Sequence, residues 1–180
     1  MFNQVTLDGY FVDAHGDMSW AHKNDAEWQA FTQENASGGG ELLFGRVTYQ
    51  MMASYWPTPM AAASSPLVAE RMNGMPKVVF SRTLTTTAWS NTKLVKQDIV
   101  AAVRKMKAES GPGMVIMGSG TIVSQLASAG LIDEYQLCVN PIALGAGRTM
   151  FEGLKEKVSL KFKKERTFAN GNVVLWYEPA

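Results

Sequence analysis

The chain has 180 residues, 46% of them hydrophobic and 18% charged, with a formal net charge of +1. That length suits one domain with a substantial core, and that composition excludes an intrinsically disordered chain. A charge so close to zero argues against a broad electrostatic surface for nucleic acid.

In chain order, Phe2 to Leu7 predicts a first strand with Val5 and Leu7 on one face. Asp8-Gly9 marks a turn or bulge before the apolar Tyr10-Phe11-Val12. Asp13 to Asp17 reads as a loop that ends near Met18-Ser19-Trp20. Asn24 or Asp25 is placed to cap a helix through Glu27, Trp28 and Phe31, which Gly38-Gly39-Gly40 ends. The apolar Leu42-Leu43-Phe44 is a short strand that runs straight into Gly45-Arg46. Val47-Thr48-Tyr49-Gln50-Met51-Met52 then opens a helix that stops before Pro57. Pro57 to Pro66 reads as a surface loop, with a helix beginning near Ser64-Ser65-Pro66 and ending at Asn73-Gly74.

Lys77-Val78-Val79-Phe80-Ser81 predicts a buried strand followed by Arg82-Thr83. Asp98 to Lys107 is an amphipathic helix with Ile99, Val103 and Met106 on its apolar side. Met114 to Met117 is an apolar strand, and Gly118-Ser119-Gly120 turns into a helix through Ile122, Val123 and Leu126. From Glu134 the pattern becomes strand-rich: Tyr135 to Val139, Val158 to Lys164 and Asn172 to Tyr177, with Asn170-Gly171 as a hairpin turn. Alternating strands and helices followed by antiparallel strands predict an α/β protein. Its mixed sheet is mainly parallel, ends in antiparallel strands and carries helices on both faces. No linker or repeat divides the chain, so a single domain over residues 1–180 is expected.

Met1 to Tyr10 lacks a basic stretch followed by a long apolar run, so neither a secretory signal nor a spanning helix is expected. The one cysteine, Cys138, cannot form an intramolecular disulfide, which fits a reducing compartment. A soluble cytoplasmic protein without membrane partners is the expectation.

Three strand ends carry the site chemistry: Gly45-Arg46-Val47-Thr48, Ser81-Arg82-Thr83 and Gly118-Ser119-Gly120-Thr121. Open α/β sheets bind ligands at the carboxyl ends of their strands, arginine forks match phosphate oxygens, and glycines let backbone approach a pyrophosphate. Each turn alone reads more readily as an ordinary surface turn, and Gly118-Ser119-Gly120 lacks the third glycine of the usual dinucleotide fingerprint. Ser119 lacks the glycine spacing of a nucleophile elbow. His15 and His22 complete no metal-ligand spacing, so no metal is expected, and Cys138 reads as an inert buried residue in an apolar strand. Asp25 stands close to Trp20 and Trp28. Desolvation there would raise its pKa and suit it to proton transfer, whereas the simpler reading makes it a helix cap.

Taken in order, several segments carry a family resemblance. They are Val5-Thr6-Leu7-Asp8-Gly9-Tyr10-Phe11, Leu43-Phe44-Gly45-Arg46-Val47-Thr48-Tyr49, Lys77-Val78-Val79-Phe80-Ser81-Arg82-Thr83-Leu84, Met117-Gly118-Ser119-Gly120, Gly130-Leu131-Ile132-Asp133-Glu134 and residues 141–151. Together they resemble the dihydrofolate reductase-like superfamily, in particular the RibD C-terminal-domain branch of riboflavin-type reductases. The resemblance implies a three-layer dihydrofolate reductase-like fold and an NADPH-dependent reductase acting on a pterin-like or ribosylaminopyrimidine-like heterocycle. The activity would be like that of dihydrofolate reductase or of 5-amino-6-(5-phosphoribosylamino)uracil reductase. Gly45, Arg46, Thr48, Ser81 and Arg82 would contact the adenosine phosphates. Gly118, Ser119, Gly120 and Thr121 would receive the pyrophosphate, and Asp13 to Trp20 would lie at the nicotinamide. Asp25-Ala26-Glu27-Trp28 is similar to the Asp-x-x-Trp of bacterial dihydrofolate reductases, which would make Asp25 catalytic. A homodimer is implied as well. The alternative is a non-catalytic nucleotide-binding or interaction module that retains the reductase fold.

Overall fold

The computed structural model describes all 180 residues. Its elements, in chain order, begin with β1 (Phe2–Thr6), β2 (Tyr10–Val12), a 3-10 turn (Ser19–Ala21), α1 (Ala26–Ser37), β3 (Glu41–Gly45) and α2 (Arg46–Tyr55). Next come α3 (Pro59–Ser64), α4 (Pro66–Gly74), β4 (Lys77–Phe80), β5 (Thr92–Val95), α5 (Ile99–Ala108) and β6 (Met114–Ile116). The chain closes with α6 (Gly120–Ser128), β7 (Tyr135–Asn140), β8 (Arg148–Thr149), β9 (Leu160–Thr167) and β10 (Val173–Pro179). A parallel sheet, antiparallel carboxyl-terminal strands and helices make this the mixed α/β fold that the alternation predicts. Contacts gather the chain into two compact units, one of Met1–Gln29 with Gly118–Ala180 and one of Ala30–Met117.

The Ala30–Met117 unit is built on a wholly parallel sheet in the order β5-β4-β3-β6. Its inner strands are unbroken apolar runs, as expected of parallel strands covered by other chain. Leu42, Phe44 and Val79 pack with Tyr49 from α2, Met72 from α4 and Trp89. The Tyr49 hydroxyl accepts the backbone N–H of Trp89 at 3.0 Å, so this ring belongs to the core. Two elements here differ from the sequence expectation. β5 has one partner strand and the polar start Thr92-Lys93, so it lacks the apolar run that betrays an inner strand. α3 occupies what reads as a Pro-rich loop. Thr58 caps it by accepting from the Ala61 N–H at 3.2 Å, and Pro59 sits in its first turn, where a missing N–H costs nothing.

The other unit holds the sheet β1-β7-β10-β9 and the two-stranded ribbon β2-β8. β1 runs parallel to β7, while β10 is antiparallel to both β7 and β9. β1 stops at Thr6, so Leu7 does not share a buried face with Val5; it is 74% exposed. The cause is local. The Thr6 hydroxyl donates to Asp8 Oδ1 at 2.6 Å and accepts from the Tyr10 N–H at 2.9 Å, and Gly9 takes φ +86°. The chain therefore turns before Leu7 can join the strand. The Asn170-Gly171 turn forms as predicted, closed by Gly171 N–H to the Phe168 carbonyl at 2.9 Å.

Candidate cofactor site

β4, β3 and β6 lie side by side and parallel, so their carboxyl ends share one edge. Gly45 pairs with Phe80, which sets Arg46 and Ser81 just beyond adjacent strand ends. β6 ends on the same edge: Leu43 pairs with Ile116, and Met117 N–H donates to the Leu43 carbonyl at 3.4 Å. The next residue in the chain is Gly118. Gly45 is the N-cap of α2 and Ser119 that of α6, and neither makes a side-chain cap hydrogen bond. Uncapped helix starts and fixed guanidinium groups suit anionic oxygens.

The individual residues are not equivalent. Arg46 is exposed and spends one N–H on Gln50 Oε1 at 3.0 Å, one helical turn away, which leaves its other donors outward. Arg82 is exposed and makes no ion pair or hydrogen bond. Ser81 Oγ accepts the N–H groups of Thr83 (3.2 Å) and Leu84 (3.0 Å), so it shapes the turn that presents Arg82. Thr48, at 9% exposure, is turned into the protein by the phase of α2. Gly118 and Ser119 both adopt left-handed backbone, with φ of +64° and +61°. That is strained for serine and marks a turn held in place by its surroundings. Gly120 packs so closely on Phe11 that a Cβ would lie 3.0 Å from Cε1. Thr121 is exposed, and its carbonyl accepts from Gln125 Nε2 at 2.9 Å.

Residues 13–20 fold back on themselves. Asp13 Oδ1 accepts the N–H groups of His15 and Asp17, both at 2.8 Å, and Asp17 Oδ2 accepts the Ser19 hydroxyl at 2.6 Å. Asp25 caps α1: its Oδ1 accepts the Trp28 N–H at 2.8 Å, and its Oδ2 accepts Asn170 Nδ2 at 2.7 Å. These bonds, first that from the Trp28 backbone and then that from Asn170, hold its carboxyl below the usual range. This corrects the expectation of a raised pKa, because hydrogen bonds to the charged form outweigh desolvation. Trp28 is buried against Phe168, with ring centroids 5.0 Å apart and nearly perpendicular. Glu27 Oε2 accepts the Ala169 N–H at 3.0 Å, so the start of α1 is fastened to the β9–β10 turn at several points.

Two residues to which the sequence assigns no role anchor backbone elsewhere in the fold. Asp8 accepts the N–H groups of Leu144 (3.0 Å) and Gly145 (2.8 Å) and thereby holds the segment after β7. The Thr6 hydroxyl first, and then the Gly145 backbone, draw its pKa down. The available signal was the shared Asp-Gly and Leu-Gly pairs, which carry no distance information. Lys77 is buried at the head of β4 and donates to three carbonyl oxygens. Cys138 is buried in β7, and burial pushes its thiol up to about 12. His15 and His22 are exposed, and no group of three or more His, Cys, Asp or Glu side chains is placed to hold a metal. No helix is long and apolar enough to cross a membrane.

Residues 1–174 match the family model of the RibD C-terminal domain, and the chain belongs to that family. It is 26% identical over 174 residues to the uncharacterised protein YyaP of Bacillus subtilis strain 168, an alignment covering 96% of this chain and 90% of that one. A second B. subtilis protein, the uncharacterised YwjB, is 21% identical over 168 residues, covering 93% and 90%. Among solved structures, a proposed riboflavin biosynthesis protein of Shewanella sp. PV-4 superposes with a TM-score of 0.75 at 24% identity, covering 99% of this chain and 97% of that one. The Thermotoga maritima diaminohydroxyphosphoribosylaminopyrimidine deaminase/5-amino-6-(5-phosphoribosylamino)uracil reductase gives a TM-score of 0.69 at 14% identity, covering 99% of this chain and 55% of that one. Both superpositions show the shared reductase-type fold.

Proposed function

We propose that this member of the RibD C-terminal domain family is an NADPH-dependent reductase that passes hydride to a small heterocycle, pterin-like or ribosylaminopyrimidine-like. The observation that carries the reading is the shared carboxyl edge of β4, β3 and β6, with Arg46 and Arg82 exposed beyond two adjacent strands. The residues present fit a dinucleotide. In the Ala30–Met117 unit the start of α2 lacks a side-chain cap and Arg82 is exposed; in the other unit the start of α6 lacks a side-chain cap and Gly118-Ser119 is a left-handed turn.

In this proposal Arg46 and Arg82 bind the 2′-phosphate and so favour NADPH over NADH. Gly45 and Ser81 shape the turns that present them, and Thr48 supports the first turn of α2 from inside. Gly118, Ser119, Gly120 and Thr121 offer backbone N–H groups to the pyrophosphate. NADPH, when bound, supplies the hydride. Asp25, held ionised by its two donors, suits a role as hydrogen-bond acceptor for a substrate N–H or an ordered water better than a role as the acid itself. A cytoplasmic homodimer belongs to the same proposal and rests on the family resemblance.

The engagement of both Asp25 oxygens favours a second reading, a nucleotide-binding module that does not turn over. Titration with NADPH and NADH, followed by NADPH oxidation assays with pterins and ribosylaminopyrimidines, separates the two. Binding with turnover supports the reductase, and binding without turnover on either substrate class supports the module. No NADPH binding at millimolar concentration would sink both.

A further inference from the structure

Three side-chain polar atoms of one sheet are buried with no hydrogen-bond partner in the protein: Oδ1 of Asn140 and both amide atoms of Asn172. Both residues are 0% exposed. β7 and β10 pair antiparallel with Val139 opposite Val173, so one further step of that register sets Asn140 opposite Asn172. On the other side of Asn140, Thr6 of β1 stands in register with it.

The Asn140 amide is already oriented. Its Nδ2 donates toward β1, to Gln4 Oε1 at 3.2 Å and to the Val5 carbonyl at 3.3 Å. That leaves Oδ1 for the Asn172 side. Opposed residues in an antiparallel pair have Cα atoms roughly 4.5–5.5 Å apart, yet no direct bond joins these two amides. Buried polar groups in folded proteins are almost always satisfied, so two facing amides with three unmatched atoms call for a bridging group.

The β9–β10 turn packs beside the pair. Gly171, at φ +88°, packs so tightly on Pro141 that a Cβ would lie 3.0 Å from its Cγ. Pro141 follows Asn140 and Gly171 precedes Asn172, so the two chains stay in contact one step beyond the asparagine pair.

We propose that the buried, unpartnered amides of Asn140 and Asn172 bind an internal water molecule between them. Water both donates and accepts, as the set requires: it can donate to the amide oxygens and accept from Asn172 Nδ2. Exchanging the oxygen and nitrogen of the Asn172 amide leaves the argument unchanged, since one donor group and two acceptors remain. A bare cation meets an NH2 group, and a bare anion meets two carbonyl oxygens, whereas a water suits both. The water joins β7 to the start of β10. There the Asn172 N–H donates to Asn170 Oδ1 at 2.9 Å, and Asn170 in turn donates to Asp25. The site thus braces the turn that holds Asp25, and it stands independently of the cofactor reading.

A high-resolution crystal structure of the full chain tests it. The expected result is one isolated solvent peak at ~2.6–3.2 Å from Asn140 Oδ1 and from the Asn172 amide. A direct Asn140–Asn172 bond with no peak, or density for a larger group, overturns the proposal. Thermal unfolding of Asn172→Leu adds an independent reading. If water satisfies the amide, the variant melts lower than the wild type. If the amide is bare, the apolar replacement relieves its penalty, and an unchanged or higher Tm overturns the proposal. Should the variant not fold, the wild-type density decides alone.

Discussion

Lys77 offers the most quantitative test of how the Ala30–Met117 unit is held together. It is 1% exposed, and its ammonium donates to the carbonyls of Met75 (2.7 Å), Asn73 (3.0 Å) and Ser90 (3.3 Å). Nζ lies 4.4 Å from the ring centroid of Trp89, and no carboxylate pairs with it. Burial pulls its pKa from 10.5 to about 8, while the carbonyls and the ring face favour the charge. A gap of about 2.5 pH units is worth about 3 kcal/mol in proton affinity. The folded-state pKa lies below the unfolded one, so the unfolded chain binds more protons between pH 8 and 10.5. Stability therefore rises across that window, is fully gained above 10.5, and is lost again as pH falls through about 8.

The perturbation is Lys77→Met, which keeps the length of the stem and removes the charge. At pH 7 two effects oppose each other. Orphaning the Met75 carbonyl costs about 1–3 kcal/mol, since the Asn73 and Ser90 carbonyls keep other donors, whereas removing a buried charge returns about 3 kcal/mol. The net change at pH 7 is therefore small, and the pH dependence is diagnostic. Urea unfolding of both proteins, followed by tryptophan fluorescence and far-UV circular dichroism, should show the wild type gaining about 2.5 kcal/mol on the variant between pH 7 and pH 10. Coincidence of the two probes checks that one transition is being read. A difference that stays flat, or that shrinks as pH rises, refutes the account of Lys77 as a buried ammonium with a depressed pKa.

Arg46→Ala and Arg82→Ala should each weaken NADPH by roughly tenfold to a hundredfold, as losing a charge-assisted phosphate contact does, and leave NADH nearly unchanged; equal losses for both cofactors on titration would place these arginines away from the 2′-phosphate. Tyr49→Phe leaves the buried Trp89 N–H without its acceptor and should cost about 1–3 kcal/mol in chemical denaturation, so a change below measurement error contradicts the core assignment. Cys138 should stay unmodified by a thiol reagent in the native protein at pH 8 and react fully in urea, because burial keeps it protonated; rapid native labelling counts against its place in β7. Asp25→Asn should lower Tm at neutral pH, and the gap to wild type should close as pH falls through the depressed carboxyl pKa; a gap that persists unchanged into acid would mean that the charge of Asp25 stabilises nothing.

The order of elements was legible because parallel strands covered by other chain appear as unbroken apolar runs. Leu42-Leu43-Phe44 and Val78-Val79-Phe80 are such runs, and both lie in the inner strands of their sheet. Glycine and proline then marked the stops. Failures fell where that signal is absent. β5 has a neighbour on one side only and opens on polar residues, β8 is two residues long, and α3 is hidden by its own prolines although Thr58-Pro59 spells a helix start. The strand ends of the site were legible for the same reason as the strands, since a polar turn after an apolar run is a local pattern. Which side chains face outward was not. Arg46 and Thr48 are two residues apart, and only the phase of α2 against its sheet turns one out and the other in.

Asp25 shows where local reasoning ends. An aspartate at the head of a helix beside tryptophans supports two opposite electrostatic outcomes. Desolvation raises the pKa, and donation from the first-turn N–H lowers it. In the folded chain the Trp28 N–H, three residues on, is the larger of the two and outweighs desolvation. Asn170, from 145 positions later in the chain, adds to the effect of the Trp28 N–H by supplying a second donor to the other oxygen. Asn170 is in turn held by the N–H of Asn172, whose amide faces Asn140 across the sheet. The β9–β10 turn thus contributes to the lowered pKa of the one acid proposed for the chemistry. A substitution at Asn170 should therefore raise the Asp25 pKa without touching Asp25, by removing one of its two donors. An NMR titration of the Asp25 carboxyl carbon in Asn170→Ala would read that shift directly, and an unmoved midpoint would assign the depression to the Trp28 N–H alone.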